Sequence, residues 1–201
     1  MATPDLRGRL VVVAAPSGAG KTSLTHAVIR RLDAAGRGPC FSVSYTTRAP
    51  RAGERDGFDY HFISEARYAQ MVAQNLFLEH ARVYDHGYGT GRQQTERLLA
   101  AGRSVILDID WQGARLIRAN APDSVSIFIM PPSRAELERR LRARALDDDA
   151  TIARRLAQAD EDLAHASEFD HRIVNEDFDA AVAALETIIA APAGQTPSGA
   201  Q

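Results

Sequence analysis

The sequence predicts a three-layer α/β fold in which helices cover both faces of a parallel β-sheet. Three short apolar runs rich in β-branched residues carry this prediction, at 10–13, 104–110 and 125–129. Such runs are typical of strands buried on both faces. A helical pattern follows each run, and this alternation produces parallel strands. A chain of 201 residues is long enough for one such domain with an inserted lobe.

The first apolar run leads into a phosphate-binding loop, or P-loop. Gly18 and Gly20 can adopt backbone angles that a Cβ would forbid, so that consecutive N–H groups can surround phosphate oxygens. Lys21 is expected to reach the β- and γ-phosphates of ATP, and the Thr22 hydroxyl to ligate Mg²⁺. The predicted ATP-binding residues are Pro16, Ser17, Gly18, Ala19, Gly20, Lys21, Thr22 and Ser23.

Two details qualify this motif. Ala15 occupies the first glycine position of the G-x-x-x-x-G-K-[ST] pattern, and the alternative interpretation is an ordinary turn between a strand and a helix. Lys21, however, is the only lysine in the chain, and every other basic residue counted with it is arginine. A lysine at this one position indicates that a compact point charge is required.

Composition excludes several classes of protein. The net charge of −2 gives no support to nucleic-acid binding. The single cysteine, Cys40, excludes an intrachain disulfide, fits a reducing cytosol and is expected to be a small buried side chain. No apolar run approaches the roughly 18 residues of a membrane span, and the first nine residues lack a secretory hydrophobic segment. The sequence therefore predicts a cytoplasmic protein.

Residues 40–90 predict a mixed, turn-rich lobe inserted into the parallel sheet. A helix from Lys21 to Ala35, closed by Gly36 and Gly38, precedes this lobe. Ser64 is the expected N-cap of a helix within it. The lobe is predicted to contain strand alternation from 41 to 48, a polar loop at 49–57, further alternation at 59–62, a helix at 65–74 and a strand at 77–83.

The alternation of helices and strands resumes after the lobe. Ser133 and Glu136 predict a capping box. The expected elements are helices at 92–101, 112–119, 133–144, about 147–166 and 178–190, with strands at 104–110, 125–129 and 172–174. The predicted core is 8–39, 91–132 and 167–190, the helices at 133–166 are set apart, and 191–201 is expected to be a disordered tail.

Two carboxylates end the second buried run. Strand alternation would place Asp108 and Asp110 on the same side of that strand. An Asp at the carboxyl end of a strand beside a P-loop can hold Mg²⁺, directly or through water. The alternative is that either residue caps the following helix.

Several linked motifs make the sequence resemble the guanylate kinase family, whose members transfer the γ-phosphoryl group of ATP to GMP. The resemblance runs from Leu10 to about Ile189. It rests on APSGAGKT, SVSYTTRAPRAGERDGFDYHF, FLEHARV, YGT at 88–90, LDIDWQG, the arginine-bearing segments around Asp147, and IVN at 173–175. The TTRxPRxGExxGxDYxF pattern is far more specific than a P-loop.

The resemblance implies a P-loop NTPase core, a GMP-binding lobe and a helical lid, in one domain. Glu79 would accept hydrogen bonds from guanine N1–H and the amino group, and would reject AMP by remaining unpaired. Two guanidinium groups and hydroxyls would surround the GMP phosphate. The implied GMP-binding residues are Ser44, Arg48, Arg51, Tyr60, Glu79, Tyr88, Thr90, Asp108 and Asp110, with Mg²⁺ held by Thr22 and Asp110.

The resemblance also implies a catalytic set and a second substrate. Lys21, Arg48, Arg144 and Arg155 would stabilise charge on the transferring phosphoryl group, the last two from the lid. Apart from the resemblance, arginines on helices are usually solvated surface charges. Asn175 would lie near the adenine of ATP. Nothing identified in the sequence demands a ribose 2′-OH, so dGMP is an expected second acceptor.

Three alternatives stand beside this interpretation: a ribose 1,5-bisphosphate kinase, a catalytically inactive guanylate-kinase-like domain that binds phosphopeptides, and a kinase for another nucleoside monophosphate. Glu79 argues against the first, and the preserved P-loop against the second. The TTRAPRAGE segment disfavours the third. The family usually has Gly-Asn where this chain has Asp85-His86, and glycine where it has Ala145, so loop geometry and rate are the properties expected to differ.

Overall fold

The computed structural model of the protein describes residues 7–33, 38–83, 85–143 and 148–191. Its larger sheet is entirely parallel, with strand order β2-β7-β1-β8-β9. A smaller mixed sheet has the order β4-β3-β6-β5. Numbered in chain order, the strands are β1 (Leu10–Ala14), β2 (Cys40–Phe41), β3 (Tyr45–Thr46), β4 (His61–Phe62), β5 (Phe77–Val83), β6 (His86–Gly91), β7 (Val105–Asp108), β8 (Val125–Met130) and β9 (His171–Val174).

Helices cover both faces of the parallel sheet, as predicted. They are α1 (Lys21–Leu32), α2 (Glu65–Ala73), α3 (Arg92–Ala100), α4 (Trp111–Asn120), α5 (Arg134–Ala143), α6 (Asp149–Ala164) and α7 (Phe178–Ala190), with a 3₁₀ turn at Ala166–Glu168. On one face α1 and α7 pack against Val11 and Val13, and on the other α3 and α4 pack against Leu10 and Val12. Strand β1 is buried along its whole length.

The inserted lobe has its own small core. Tyr68 and Met71 of α2 pack with Phe77 of β5, and Ser64 caps α2 by accepting a hydrogen bond from the Arg67 backbone N–H. Both the predicted cap and the predicted strand at 77–83 are confirmed. Within the described residues, no helix is both long enough and apolar enough to cross a bilayer.

The structure departs from the prediction at several places. Helix α1 ends at Leu32 with Asp33 as its C-cap, whose N–H donates to the Ile29 carbonyl, and the end predicted near Ala35 lies outside the described residues. The run at 41–48, predicted to start with strand alternation, contributes to two sheets: Phe41 belongs to the parallel sheet and Tyr45–Thr46 to the small sheet. Strand β6 was not predicted at all. Gly36 and the segment 192–201 lie outside the described residues.

Candidate active site

The P-loop joins the end of β1 to the start of α1. Gly18 and Gly20 have φ angles of +92° and +94°, which is the left-handed region where a side chain is strained. Between them, Ala19 is buried and its N–H donates to the Pro16 carbonyl, 3.1 Å away. The structure therefore confirms that the loop needs these two glycines.

The N-terminus of α1 differs from those of four other helices. Ser64, Asp110, Asp148 and Asp177 each cap their helix by accepting a backbone hydrogen bond. Gly20 offers no side chain to α1, and the first turn of α1 carries no acidic residue. Among the described residues, no side chain caps the first N–H groups of this helix, which suits a phosphate.

Lys21 and Asp108 form an ion pair across the edge of the sheet. Val13 on β1 lies in register with Asp108 on β7, so the end of β7 stands beside the P-loop. The Lys21 ammonium also donates to the Ile109 carbonyl, 3.2 Å away, and only 19% of its side chain is exposed. The lysine is therefore held at the mouth of the loop.

Asp110 does not lie on the strand, so its predicted placement beside Asp108 by strand alternation is wrong. The chain leaves the sheet after Asp108, and the Asp110 carboxylate caps α4 by accepting from the Gly113 N–H at 2.7 Å. The helix-cap alternative is confirmed for this residue. In the described parts of the chain, no three His, Cys, Asp or Glu side chains are grouped closely enough to hold a metal ion by themselves.

Arg48 stands at the centre of a polar and aromatic cluster in the lobe. Its guanidinium donates to both oxygens of Glu54, at 2.8 and 2.9 Å. It also lies 5.4 Å from the Tyr60 ring centroid, and the Tyr60 and Tyr88 rings are in edge contact at 6.1 Å. Burial raises the pKa of the Tyr60 hydroxyl, and Tyr88 and Asp108 are among the groups that raise it further.

The other predicted phosphate ligands flank this cluster. Arg51 is exposed, and its backbone N–H donates to Glu54 at 2.7 Å. Ser44 is half-buried and its carbonyl accepts from the His61 N–H, which fixes the chain between β2 and β3. The structure thus brings Arg48, Tyr60 and Tyr88 together. Glu54, which orients Arg48, was missed, although one glutamate within an arginine-rich loop was a signal for an ion pair.

Glu79 is a buried carboxylate with no cation beside it among the described residues. It is 6% exposed, and its only hydrogen bond from a side chain comes from the Thr90 hydroxyl at 2.6 Å. Burial raises the pKa of Glu79, and the nearby charge of Asp110 adds to that rise, while the Thr90 hydrogen bond opposes it. Thr90 itself is fully buried beneath the carboxylate.

Glu79 and Asp110 approach each other across Gly113. A Cβ placed on Gly113 would lie 3.4 Å from an oxygen of each carboxylate. Two acidic groups therefore lie close together where β5 packs against α4. Such a pair disfavours anions and favours a ligand that presents N–H donors.

Helices α5 and α6 form a separate pair beside the P-loop. Leu137 and Leu141 pack against Ile152, Leu156 and Ala159. Arg155 is half-buried on α6, whereas Arg144 lies outside the described residues. Sequence reasoning also missed Asp162 of α6, whose pKa burial raises and which lies near enough to Asp110 and Lys21 to feel both charges.

The predicted capping box of α5 is only half formed. The Ser133 hydroxyl accepts from the Glu136 N–H at 3.1 Å, as expected. The Glu136 carboxylate does not return to Ser133 but bonds Arg139 and Arg140, which lowers its pKa to about 2. Two guanidinium partners outcompete one backbone N–H because charge-assisted hydrogen bonds are stronger.

Asn175, expected near adenine, lies behind the P-loop. It is 5% exposed, and its side-chain amide donates to the Ala19 carbonyl at 2.7 Å. The amide nitrogen is thus already used by the protein.

Comparisons with known proteins agree on one family. The guanylate kinase family profile matches residues 7–192. The chain is 50% identical to the guanylate kinase of Alkalilimnicola ehrlichii over 184 residues, which is 92% of this chain and 89% of that protein. It is 48% identical to the guanylate kinase of Paramagnetospirillum magneticum over 190 residues, covering 94% and 87% of the two chains. The crystal structure of guanylate kinase from Anaplasma phagocytophilum superposes with a TM-score of 0.74 at 31% identity, covering 97% of this chain and 91% of that one.

Proposed function

Because the chain belongs to the guanylate kinase family and phosphorylates GMP with ATP, we propose a division of labour between its two nucleotide sides. The P-loop and Lys21 bind the phosphates of ATP. The lobe binds GMP, with Arg48, Arg51, Tyr60, Tyr88 and Ser44 around its phosphate. The three-part division into core, lobe and lid is that of the sequence prediction.

The single observation that carries the assignment of the acceptor is the buried Glu79 carboxylate. Among the described residues its one hydrogen bond from a side chain comes from the Thr90 hydroxyl, the Thr90 backbone N–H also lies close enough to lower its pKa, and no cation stands beside it. Its two oxygens therefore still have acceptor capacity to spare. Guanine supplies two N–H donors in one plane, whereas adenine presents an acceptor at N1. Guanine therefore satisfies this carboxylate and adenine leaves it unpaired.

In the reaction, an oxygen of the GMP phosphate attacks the γ-phosphorus in line. One P–O bond forms to GMP while the bond from the γ-phosphorus to the ADP oxygen breaks. No general base is needed, because the attacking oxygen is already ionised. Lys21, Arg48 and Arg155 stabilise the charge on the transferring group, together with Arg144 of the segment outside the described residues.

Mg²⁺ is the proposed metal of this reaction. Mg²⁺ usually keeps several waters and takes one or two protein ligands plus substrate phosphates, so the absence of a three-residue cluster among the described residues fits it. Thr22 is exposed at the start of α1, and Asp110 lies at the start of α4. These two residues would hold the ion, which would neutralise phosphate charge when bound.

We also propose that the enzyme acts in purine nucleotide metabolism in the cytoplasm. A single half-buried cysteine fits a reducing compartment. Fractionation of cells that express the tagged chain tests the location, and recovery in a compartment outside the cytoplasm would overturn it.

The test of the acceptor measures ADP release from Mg·ATP with GMP, dGMP, AMP, UMP and ribose 1,5-bisphosphate. Turnover confined to GMP and dGMP is the expected result. Turnover with ribose 1,5-bisphosphate alone would overturn the assignment of the lobe. Silence with every acceptor, combined with measurable GMP binding, would indicate a binding domain without catalysis.

A further inference from the structure

We infer that Asn175 is a positioning residue that orients the P-loop, rather than a group that reads the base of ATP. This inference rests on the proposed function only in taking the P-loop as the phosphate site. The Asn175 side chain reaches a carbonyl 156 residues away in the chain, and the hydrogen bond of 2.7 Å is buried. It joins the end of β9 to the middle of the loop.

The geometry of a trans peptide explains what this bond does. The C=O of Ala19 and the N–H of Gly20 belong to one planar unit and point in opposite directions. Because Asn175 holds the Ala19 carbonyl on the inner side of the loop, the Gly20 N–H is turned away from Asn175. That is the direction in which a P-loop presents N–H groups to phosphate oxygens.

Gly20 also leaves free the space that the Asn175 amide occupies. A Cβ on Gly20 would lie 2.4 Å from the Asn175 amide nitrogen, which is closer than any real Cβ contact. Any side chain here would displace the amide, in addition to the strain imposed by a φ of +94°. The glycine and the asparagine therefore form one unit.

Asn175 is itself held on two sides. Its backbone N–H donates to the Met130 carbonyl at the end of β8, at 2.8 Å. Its carbonyl accepts from Arg140 of α5 at 3.0 Å. From the same helix, Leu137 and Leu141 lie 3.0 and 3.1 Å from where a Cβ of Gly18 would be. The P-loop is thus supported from behind by both Asn175 and α5.

The experiment compares Asn175→Asp with Asn120→Asp. Asn120 makes a similar bond, from its amide to the Leu78 carbonyl at 2.8 Å, far along α4 from the P-loop. The aspartate at 175 would face the Ala19 carbonyl with an acceptor instead of a donor. Calorimetry with Mg·ADP and with Mg·tripolyphosphate measures binding, and ATP and GTP are compared as phosphoryl donors.

We expect Asn175→Asp to weaken the binding of ADP and of tripolyphosphate by the same factor, about tenfold or more. The reason is that the buried Ala19 carbonyl loses its hydrogen-bond donor. The preference for ATP over GTP and the affinity for GMP should not change, and Asn120→Asp should bind both probes normally. Weaker ADP binding with unchanged tripolyphosphate binding, or a lost donor preference, would overturn the inference, as would no effect.

Asn175→Ala provides the second variant, because it removes the donor without adding charge, and the same outcomes apply if the aspartate variant does not fold. The binding arms need no turnover. A wild-type protein that fails to phosphorylate GMP would therefore count against the proposed function. The loss of ADP affinity compared with the loss of tripolyphosphate affinity in the Asn175 variants would still decide the role of Asn175.

Discussion

The two nucleotide sides proposed for this enzyme use different groups to bind phosphate. On the ATP side, the backbone of the P-loop and the first turn of α1 supply the groups for phosphate, and the loop follows a fully buried strand. On the GMP side, the groups are side chains carried by a small sheet, in which β3 and β4 have 2 residues each. Backbone donors are fixed by the fold, whereas side chains must be fixed by neighbours.

This difference explains why the lobe needs ion pairs where the P-loop needs glycines. Glu54 holds the Arg48 guanidinium with two hydrogen bonds before any phosphate arrives. The P-loop instead relies on two positive φ angles and the buried Asn175 amide. Substitutions on the ATP side should therefore affect nucleotide phosphate binding and phosphoryl transfer, and substitutions on the GMP side should mainly affect the recognition of GMP.

The largest expected effect is that of Lys21→Met. Removing the one ammonium group at the mouth of the P-loop should lower kcat by about 10³-fold or more, because positioned charge on the transferring group is lost. GMP affinity should stay within about twofold. Steady-state kinetics and GMP calorimetry measure the two quantities. Near-normal turnover in this variant would remove Lys21 from the catalytic set.

Glu79→Gln should weaken the recognition of GMP and leave the binding of ATP unchanged. The amide replaces one acceptor oxygen by a donor, so kcat/KM for GMP should fall about 10²-fold and discrimination against AMP should narrow. KM for ATP should be unchanged. Glu96→Gln serves as the matched control, because it makes the same change at an exposed glutamate of α3 that has no assigned role in binding. Undiminished GMP selectivity in Glu79→Gln would contradict the assigned role.

Glu54→Gln tests whether the lobe depends on a pre-formed ion pair. Arg48 would lose its charged partner and become less ordered, so KM for GMP should rise about tenfold with a smaller change in kcat. Asp179→Asn is the control, since it breaks the exposed pair with Arg31, 3.0 Å in length, elsewhere on the surface. Equal KM values in both variants would mean that Glu54 does not position Arg48.

The KM for GMP should depend on pH through the protonation of Glu79. Burial raises the pKa of Glu79 above its ordinary value of 4.5. As pH falls through this raised pKa, Glu79 takes up a proton and KM for GMP should rise, by up to about tenfold per pH unit below it. The ratio of wild type to Glu79→Gln removes the titration of GMP itself. A ratio that stays flat as pH is lowered from neutral to the ordinary value of 4.5 would contradict the raised pKa of Glu79.

The raised pKa of Glu79 changes the stability of the fold in the direction opposite to its effect on GMP binding. A carboxyl group whose pKa is raised on folding adds stability that is present below the unfolded pKa and is lost as pH rises through the folded pKa. Acid should therefore favour the fold at Glu79 while it weakens GMP binding. Urea unfolding of wild type and Glu79→Gln across the same pH range tests this sign.

The smallest expected effect is that of removing the side-chain cap of α7. Asp177→Ala removes the acceptor of the Ala180 N–H at the start of α7, 2.8 Å away. It should lower the free energy of unfolding by about 1 kcal/mol and leave turnover unchanged. Urea unfolding and kinetics measure both. A change in KM for ATP would contradict this prediction, because it would show that the cap of α7 affects the P-loop.

Sequence reasoning succeeded where the pattern was long or its chemistry unusual. The boundaries predicted for α7 are those observed, because a long apolar helix leaves few alternatives. The P-loop was recognised from its spacing, and the cap of α2 from Ser64. The position of Asp108 beside the P-loop was expected from its place at the end of a strand, but its ion pair with Lys21 was not predicted.

The failures came from contacts distant in the chain. Strand β6 was missed because its three glycines argue against a strand. The structure shows their reason: a Cβ on Gly87, Gly89 or Gly91 would lie 2.7 to 2.8 Å from the ring of Tyr68, Phe77 or Tyr45. Asp110 was misplaced because nothing in the local pattern marks where β7 ends. Asn175 was placed by resemblance alone, and its partner lies 156 residues away.

The solitary lysine has a practical consequence for labelling. Because the chain contains one lysine, an acylating reagent has a single side-chain amine to modify, and that amine lies at the mouth of the P-loop. The mass added at Lys21 would therefore count the fraction of molecules whose loop is open to reagent. Mass spectrometry of the digested protein with increasing nucleotide would read occupancy of this one site without a reporter group, because digestion separates Lys21 from the α-amino group, which the reagent also modifies.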